Sequence, residues 1–150
     1  MITIQDIDAA VTAREIGEHL RVITSLAYVP VLDQDVPVIV YLDPSCDTIS
    51  RRQLDLLNGL LAVKPERLSE IKTQLYERWG EYDQFYTDEI EFDYDSPDAA
   101  FEASQVSSVM LARLGAENAP CPVLRFKVAW DPEHGASILY DRNAFRWESN

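Results

Sequence analysis

The amino-acid sequence predicts an α+β protein in which an antiparallel sheet carries a two-helix hairpin on one face. Apolar residues recur every three or four positions through the middle of the chain, as they do in amphipathic helices. Alternating apolar and polar residues, separated by turn-forming sequences, dominate the regions on either side, as in antiparallel hairpins. A chain of 150 residues has the length of one ordinary domain, so we expect residues 1–150 to form a single domain.

The first 42 residues are predicted to hold one helix and one β-hairpin. Apolar residues at mostly helical intervals predict a helix from Ile4 to Leu20. Strands from Tyr28 to Leu32 and from Val36 to Leu42 are predicted around a turn at Asp33 to Asp35, because β-branched and aromatic residues concentrate there. Pro37 cannot donate a ladder hydrogen bond, so we expect it near an edge or a strand start.

Two helices are predicted between residues 48 and 82. A capping residue, Thr48 or Ser50, precedes the first helix, and Pro65 fits the first turn of the second. The apolar residues expected to pack are Leu54, Leu57 and Leu61 in the first helix, and Leu68, Ile71, Leu75, Trp79 and Tyr82 in the second.

An extended segment and a short helix are predicted next. Glu89 to Asp95 alternates acidic and apolar residues, which indicates a half-buried extended segment. Ser96 and Pro97 are typical of a helix cap and first turn. The residues from Val106 to Leu114 are locally compatible with either helix or strand.

The C-terminal third is predicted to be an antiparallel meander. Pro120 and Pro122 are expected to bracket a turn. A strand from Val123 to Trp130 follows, with Leu124, Phe126, Val128 and Trp130 on its core side. The elements expected after it are a turn at Asp131 to Gly135, a strand from Ala136 to Tyr140, a turn at Asp141 to Asn143, and a returning segment from Ala144 to Trp147.

The charge of the chain restricts its partners. The formal net charge is −13, which disfavours nucleic acid and anionic membranes and favours a basic protein as partner. No apolar run approaches the length of a membrane span, and the N-terminus lacks the basic and apolar regions of a signal peptide. We therefore expect a cytoplasmic protein with no membrane or nucleic-acid partner.

Much of this charge lies in one stretch, the acidic segment from Glu81 to Glu102. It holds nine acidic residues and no lysine or arginine. Aromatic residues are interleaved with the acids, so the segment can bury its rings and turn its carboxylates to water, unlike a disordered acidic tail. The residues predicted to bind a partner are Asp83, Phe85, Tyr86, Asp88, Glu89, Glu91, Asp93 and Asp95.

The same segment partly resembles a calcium loop. Glu91, Asp93, Asp95 and Glu102 stand at positions 1, 3, 5 and 12 of such a loop. Position 6 is Ser96 instead of the glycine that makes the sharp turn, and a proline follows it. We therefore interpret these acids as a solvated surface and predict no metal.

A second candidate region is the sequence Trp130-Asp131-Pro132-Glu133-His134-Gly135, the 130–135 turn. Glu133 and His134 are possible metal ligands or general bases, but the repeated histidine or cysteine spacings of a zinc site are absent. We interpret Trp130, Glu133, His134 and Gly135 as a structural turn, in which Gly135 adopts positive φ and Glu133 and His134 bond backbone groups.

Sequence motifs predict neither a catalytic residue nor a cofactor. Cys46 and Cys121 belong to no Cys-x-x-Cys motif, and we expect both to be free thiols. A glycine-rich phosphate loop, a nucleotide fingerprint and a Ser-His-Asp order are all absent from the sequence.

Three features together resemble a known family. They are a helix opening with Ser50-Arg51-Arg52-Gln53-Leu54, a second long helix ending in an aromatic cluster, and the 130–135 turn. They resemble an uncharacterised bacterial domain family whose C-terminal hairpin carries a Trp-Asp-x-Glu-His-Gly turn. The resemblance covers Val29 to Trp147 and implies a strand from Val106 to Leu114. Members often look like immunity proteins of bacterial toxin systems, which implies a non-catalytic inhibitor.

Charge and resemblance lead to one main hypothesis, with two alternatives left open. The main hypothesis is an acidic binding protein, an immunity-type inhibitor that neutralises a basic bacterial toxin domain by occluding its site. One alternative is a small metal-dependent hydrolase that uses Glu133 and His134 with carboxylates of the acidic segment. The other is a non-catalytic housekeeping adaptor whose acidity keeps it soluble.

Overall fold

The computed structural model describes residues 14–16, 20–42, 49–86, 93–114 and 119–148, and side chains over 26–42, 49–82, 93–112 and 119–148. Within these ranges the strands are β1 (Arg14–Ile16), β2 (Leu20–Val29), β3 (Gln34–Tyr41), β4 (Ser104–Leu114), β5 (Ala119–Val128), β6 (Ala136–Asp141) and β7 (Ala144–Trp147). The helices are α1 (Arg51–Leu61), α2 (Leu68–Tyr86) and α3 (Pro97–Glu102), with a 3-10 turn at Pro65–Arg67 before α2.

The seven described strands form one sheet in chain order, from β1 to β7. Each neighbouring pair is antiparallel except β3 and β4, which run parallel with Val38 opposite Val109. Because parallel neighbours need a crossover connection, the chain between them carries α1, α2 and α3 past the sheet. The predicted α+β class is confirmed; the sheet was predicted to be antiparallel and is mostly so, with the parallel pairing of β3 and β4 as the departure.

Both long helices pack into one hydrophobic core on the same face of the sheet. Leu57 and Leu60 of α1 and Ile71 and Leu75 of α2 are fully buried in this core. Contacts join α1 to β5, and they join α2 to β6, β7 and α3. These contacts place each helix on the sheet, but they do not establish the predicted packing of the two helices as a hairpin.

Ser50 and Gln53 begin α1 and anchor it to the end of β3. The Gln53 backbone N–H donates to Ser50 Oγ at 3.1 Å, and the Ser50 N–H donates to Gln53 Oε1 at 3.0 Å, which together form a capping box. Gln53 is buried, and its Nε2 donates to the Tyr41 carbonyl at 2.8 Å. Of the two predicted caps, the structure therefore uses Ser50.

The helix predicted from Ile4 to Leu20 is wrong where the structure describes this region. Arg14–Ile16 is a strand, and Leu20 already begins β2, the strand with which it pairs. The run of apolar residues at helical intervals is short. Pairing with a neighbouring strand satisfies the backbone N–H and C=O groups that would otherwise bond within a helix. Residues 4–13 and 17–19 lie outside the described ranges.

The β2–β3 hairpin is confirmed, but its bounds differ from those predicted. The first strand starts at Leu20, and the turn occupies Pro30 to Asp33 instead of Asp33 to Asp35. Asp33 adopts a φ of 52°, which aspartate tolerates better than most residues. Gln34 and Asp35 already pair with β2, so they belong to the ladder and not to the turn.

Prolines lie inside two strands, one of them the predicted strand that holds Pro37 and the other a segment predicted to be a turn. Pro37 lies within β3, which has neighbours on both sides, and the pairing of β3 with β4 begins one residue later, at Val38. Pro120 and Pro122, predicted to bracket a turn, both lie in β5 and pair with β4. Pairing with β4 over a long ladder outweighs the local preference of proline for turns.

The C-terminal meander is confirmed. Val106 to Leu114 belongs to β4, the strand that the family resemblance implies. Leu124, Phe126 and Val128 are buried on the helix side of β5, as the alternation predicts. The loop between β6 and β7 places Arg142 and Asn143 at φ values of 52° and 63°, which is the backbone of a tight two-residue hairpin. In the ranges described, no helix combines the length and apolar character needed to cross a membrane.

Replacement of Gln53 by leucine is expected to lower the free energy of unfolding by about 1–3 kcal/mol, because the Tyr41 carbonyl and the Ser50 N–H both lose a partner. Urea unfolding followed by circular dichroism measures this change. Gln105 is exposed on β4 and gives a matched control, with an expected change below about 0.5 kcal/mol for Gln105→Leu. Equal effects of the two substitutions would contradict the anchoring role of Gln53.

Candidate functional site

Residues 93–102 are the described end of the acidic segment. Asp93 and Asp95 are exposed on either side of Tyr94, which is buried. This is the predicted alternation, although the described residues here form no strand. Of the remaining predicted partner-binding residues, Asp83, Phe85 and Tyr86 have their backbone in the last turns of α2 but lie outside the described side chains. Asp88, Glu89 and Glu91 lie wholly outside the described ranges.

Contacts with α2 hold residues 93–102 in place. The Tyr94 ring packs edge-on against Trp79 with the ring centroids 5.2 Å apart. Lys72 Nζ donates to Asp98 Oδ1 at 2.9 Å and lies 5.3 Å from the centroid of the Phe101 ring. The contacts of Lys72 and Trp79, about two turns apart along α2, therefore fix the direction of this stretch and the side on which its carboxylates project.

Exposed acids on α3 extend this negative surface, and a further exposed acid lies on α2. Asp98 and Glu102 lie on α3, and the Asp98 side chain is 73% exposed despite its ion pair. Glu77 is exposed on α2 and was not among the predicted site residues. Tyr76 and Trp79 face the core, so helical periodicity predicts that Glu77, between them in sequence, lies on the outer side of the helix.

The backbone at Ser96 differs from that of a calcium loop. Ser96 is extended, with φ −156° and ψ 158°, and its Oγ accepts a hydrogen bond from the Ala99 N–H at 3.1 Å. It therefore caps α3, as predicted, and its backbone does not make the sharp turn that a glycine makes at that loop position.

The 130–135 turn is built around the buried carboxylate of Asp131. Asp131 Oδ1 lies 3.0 Å from His134 Nδ1 and accepts from the His134 backbone N–H at 3.3 Å. The Asp131 carbonyl accepts from the Gly135 N–H at 2.9 Å. The sequence interpretation gave the bonding role to Glu133 and His134. In the structure Asp131 takes the place of Glu133, whose side chain is exposed and forms no hydrogen bond with any described residue.

Gly135 closes this turn with a φ of +68°. A β-carbon there would lie 2.5 Å from the Phe126 carbonyl oxygen, so both the backbone conformation and the close approach require glycine. Arg125 reinforces the turn, since its guanidinium donates to the His134 carbonyl at 2.8 Å and to Ser137 Oγ.

Trp130 connects the turn to α2. It is buried, and its ring lies 5.1 Å from that of Tyr82. The guanidinium of Arg78, also buried, lies 6.0 Å from the Trp130 ring and 5.3 Å from the Trp147 ring. The last turns of α2 therefore contact the 130–135 turn through one side and residues 93–102 through the other.

His134 and Asp131 do not form a recognisable metal site. The His134 side chain is 68% exposed, with Nδ1 directed to Asp131. Among the residues that the structure describes, no group of three or more histidine, cysteine, aspartate or glutamate side chains is arranged to hold a metal ion.

A family model described as a domain of unknown function, DUF6985, matches residues 14–145. The chain belongs to the DUF6985 family. The match begins at Arg14, so β1 and β2 are part of the family domain, whereas the resemblance seen in the sequence began only at Val29. No curated protein and no solved structure is detectably similar to the chain.

Cys121 of this DUF6985 domain is a free thiol, as predicted, and is buried in the sheet. Burial raises the pKa of the thiol to about 11, so it is protonated at neutral pH. A nucleophilic cysteine needs the opposite shift. Cys46 lies outside the described residues.

The substitution Gly135→Ala is expected to lower the free energy of unfolding by about 1–3 kcal/mol, through the strain of a positive φ and the clash with Phe126. Gly59, exposed in α1 with nothing beyond its chain neighbours and its own helix backbone within 4 Å of an added β-carbon, provides the control. Gly59→Ala is expected to raise the same quantity by about 0.5–1 kcal/mol, because alanine favours helix. Effects of equal sign in urea unfolding would contradict this account of the turn.

Alkylation of Cys121 is expected to be slow in the folded protein. In a Cys46→Ser chain at pH 8, iodoacetamide should react about 100-fold more slowly with the folded protein than with the protein unfolded in urea, because burial raises the pKa of the Cys121 thiol from the ordinary 9.0 to about 11. Mass spectrometry of timed samples measures both rates. Equal rates would mean that the thiol is neither buried nor shifted.

Proposed function

We propose that this DUF6985 chain is a non-catalytic binding protein, an immunity-type inhibitor that neutralises a basic bacterial toxin domain by covering its active site. The observation that carries the proposal is the arrangement at residues 93–95. Tyr94 is buried against α2, while Asp93 and Asp95 are exposed, and neither carboxylate pairs with a described lysine or arginine. The fold therefore holds unneutralised negative charge in a fixed place.

Fixed negative charge of this kind supports fast capture of a basic partner. A negative surface attracts a basic domain over several ångströms and accelerates encounter when salt is low. Asp98 and Glu102 on α3 extend the same surface. Such carboxylates also mimic the phosphates that a basic nuclease or nucleic-acid-binding toxin would contact, which favours occlusion of the site itself.

Aromatic anchors would then slow dissociation. Trp79 and Tyr94 are buried in the contact that holds residues 93–102 on α2, so they serve the fold. Phe85 and Tyr86, at the end of α2, remain our predicted anchors, because they follow the buried stripe and adjoin the acids. In this scheme the acids determine the association rate and the aromatics determine the dissociation rate.

One observation favours the alternative of a small hydrolase. The contact between Asp131 and His134 Nδ1 leaves the Nε2 side of an exposed imidazole facing solvent, as in a histidine oriented to act as a base. Glu133 is exposed beside it. A hydrolase screen of the wild-type chain and His134→Ala, with and without added divalent metal, tests this alternative, and activity lost in the variant would support it over the inhibitor.

The first test of the inhibitor proposal is capture of its partner. The purified chain serves as bait in a lysate of the cell that encodes it, at low and at high salt, and bound proteins are identified by mass spectrometry. We expect a basic protein that is retained at low salt and encoded beside this gene. If no basic protein is retained, the inhibitor proposal fails, and an adaptor or a hydrolase remains.

Reversal of charge at Asp93 and Asp95, both to lysine, is expected to slow association with that partner by about tenfold or more at low salt and to flatten its salt dependence. The dissociation rate should change much less. Surface plasmon resonance across a salt series measures both rates.

A matched control variant changes the same amount of charge elsewhere. Asp55→Lys with Glu66→Lys alters exposed acids on α1 and in the 3-10 turn before α2, of which Asp55 carries only a highly exposed pair with Arg51. It should slow association far less. Equal slowing by the two variants would mean that net charge matters and the acidic segment does not.

A further inference from the structure

Arg78 on α2 is a buried cation without an anionic partner among the described residues. Only 9% of the residue is exposed, and its guanidinium lies 6.0 Å from the Trp130 ring and 5.3 Å from the Trp147 ring. Within the described part of the chain, this guanidinium makes no hydrogen bond and no ion pair. Arginine is rarely buried in a protein unless it is paired, because a buried charge without a partner is costly.

Arg67, at the start of α2, shows how this protein completes a similar contact. The Arg67 guanidinium lies 5.7 Å from the Tyr140 ring and 5.4 Å from the Phe145 ring, so it too contacts two aromatic rings. Its Nε donates to Glu70 Oε2 at 2.7 Å, and its Nη2 donates to Glu70 Oε1 at 3.0 Å. A carboxylate therefore binds this guanidinium through both of its oxygens.

Lys72 repeats the combination of an aromatic ring and a carboxylate. Its ammonium group lies 5.3 Å from the centroid of the Phe101 ring and donates to Asp98 at 2.9 Å. Among the described residues, the cations that contact aromatic rings are Arg67, Lys72 and Arg78. The first two are half-buried, whereas Arg78 is buried, so the cation that most needs a carboxylate is the one that lacks it.

The guanidinium of Arg78 keeps some access to solvent. Among the described side chains, the nitrogen and oxygen atoms that are both sealed from solvent and without a hydrogen bond include no nitrogen of Arg78. Because the guanidinium makes no hydrogen bond with a described residue, its N–H groups must reach the surface. A ligand oxygen can therefore contact them while α2 stays packed.

Nearby acids of the described chain leave this position open. Glu81 is on α2 and Glu148 follows Trp147 in sequence, and neither forms an ion pair with Arg78. The buried carboxylate of Asp131 instead lies 3.0 Å from a ring nitrogen of His134. These acids make the surroundings negative, which disfavours a doubly charged phosphate more than a singly charged carboxylate.

We infer that Arg78 binds the carboxylate of a ligand, which takes the position that Glu70 takes at Arg67. A planar carboxylate matches the guanidinium fork through two parallel N–H···O bonds. The contacts with Trp130 and Trp147 hold the fork in place, so little freedom is lost on binding. A free organic acid and an acidic side chain of a bound protein present the same group. The site is independent of the inhibitor proposal, because a carboxylate can be tested without any toxin.

Titration of the full chain with acetate, in place of chloride at constant ionic strength and neutral pH, tests this site. Proton–nitrogen NMR spectra report the arginine Nε–H signals, which are assigned with arginine-to-lysine variants. We expect the Arg78 signal to shift saturably, with half-saturation at about 10–100 mM for so small a ligand. The Arg67 signal should stay in place, because Glu70 already occupies that site. Absence of a saturable shift at Arg78, or equal shifts at both arginines, would overturn the inference.

Arg78→Lys keeps the positive charge but removes the planar fork, and it is expected to weaken acetate binding about tenfold. The indole N–H signals of Trp130 and Trp147 follow binding in this variant, and circular dichroism confirms that it is folded. Arg67→Lys is the matched control and should leave acetate binding unchanged. If folded Arg78→Lys binds acetate as tightly as wild type does, another group binds the anion and the inference is wrong.

A second ligand distinguishes the two sources of the carboxylate. N-acetylglutamate amide carries the side-chain carboxylate of a glutamate with its backbone blocked, as in a protein. Saturable shifts of the Arg78 signal with both ligands would support an acidic side chain of a bound protein, and a shift with acetate alone would support a free organic acid. A response to neither would contradict a carboxylate site.

Discussion

Parallel pairing of β3 with β4 is the constraint on which the rest of the structure depends. All other neighbours in the described sheet are antiparallel and are joined by short connections. Two parallel neighbours cannot be joined by a hairpin, so the chain must leave the sheet after Tyr41 and return at Ser104 from the other end. That single crossover carries α1, α2, α3 and the acidic segment, and it places the described helices on one face of the sheet.

Within the crossover, α2 is the element that connects the two candidate regions. Trp79 and Lys72 hold residues 93–102, while Arg78 and Tyr82 contact Trp130 at the base of the 130–135 turn. Burial of the Arg78 guanidinium between two tryptophan rings is favourable only in a well-fitted site, because a cation loses its water there. The position of the acidic surface is therefore coupled to the packing of the C-terminal meander.

Local signals in the sequence predicted the elements that depend on local chemistry. Ser50 and Ser96 cap helices, and Gly135 adopts positive φ, because each of these roles is determined within three or four residues. At the positions that were predicted wrongly, pairing with another strand determines the backbone conformation. Arg14–Ile16 and the prolines of β5 are extended because they pair with β2 and β4. The local sequence does not show which strand will lie beside a segment in the fold. In the 130–135 turn, Glu133 was predicted to make the bonds that Asp131 makes. The two side chains are chemically alike, and only the burial of Asp131 in the fold distinguishes them.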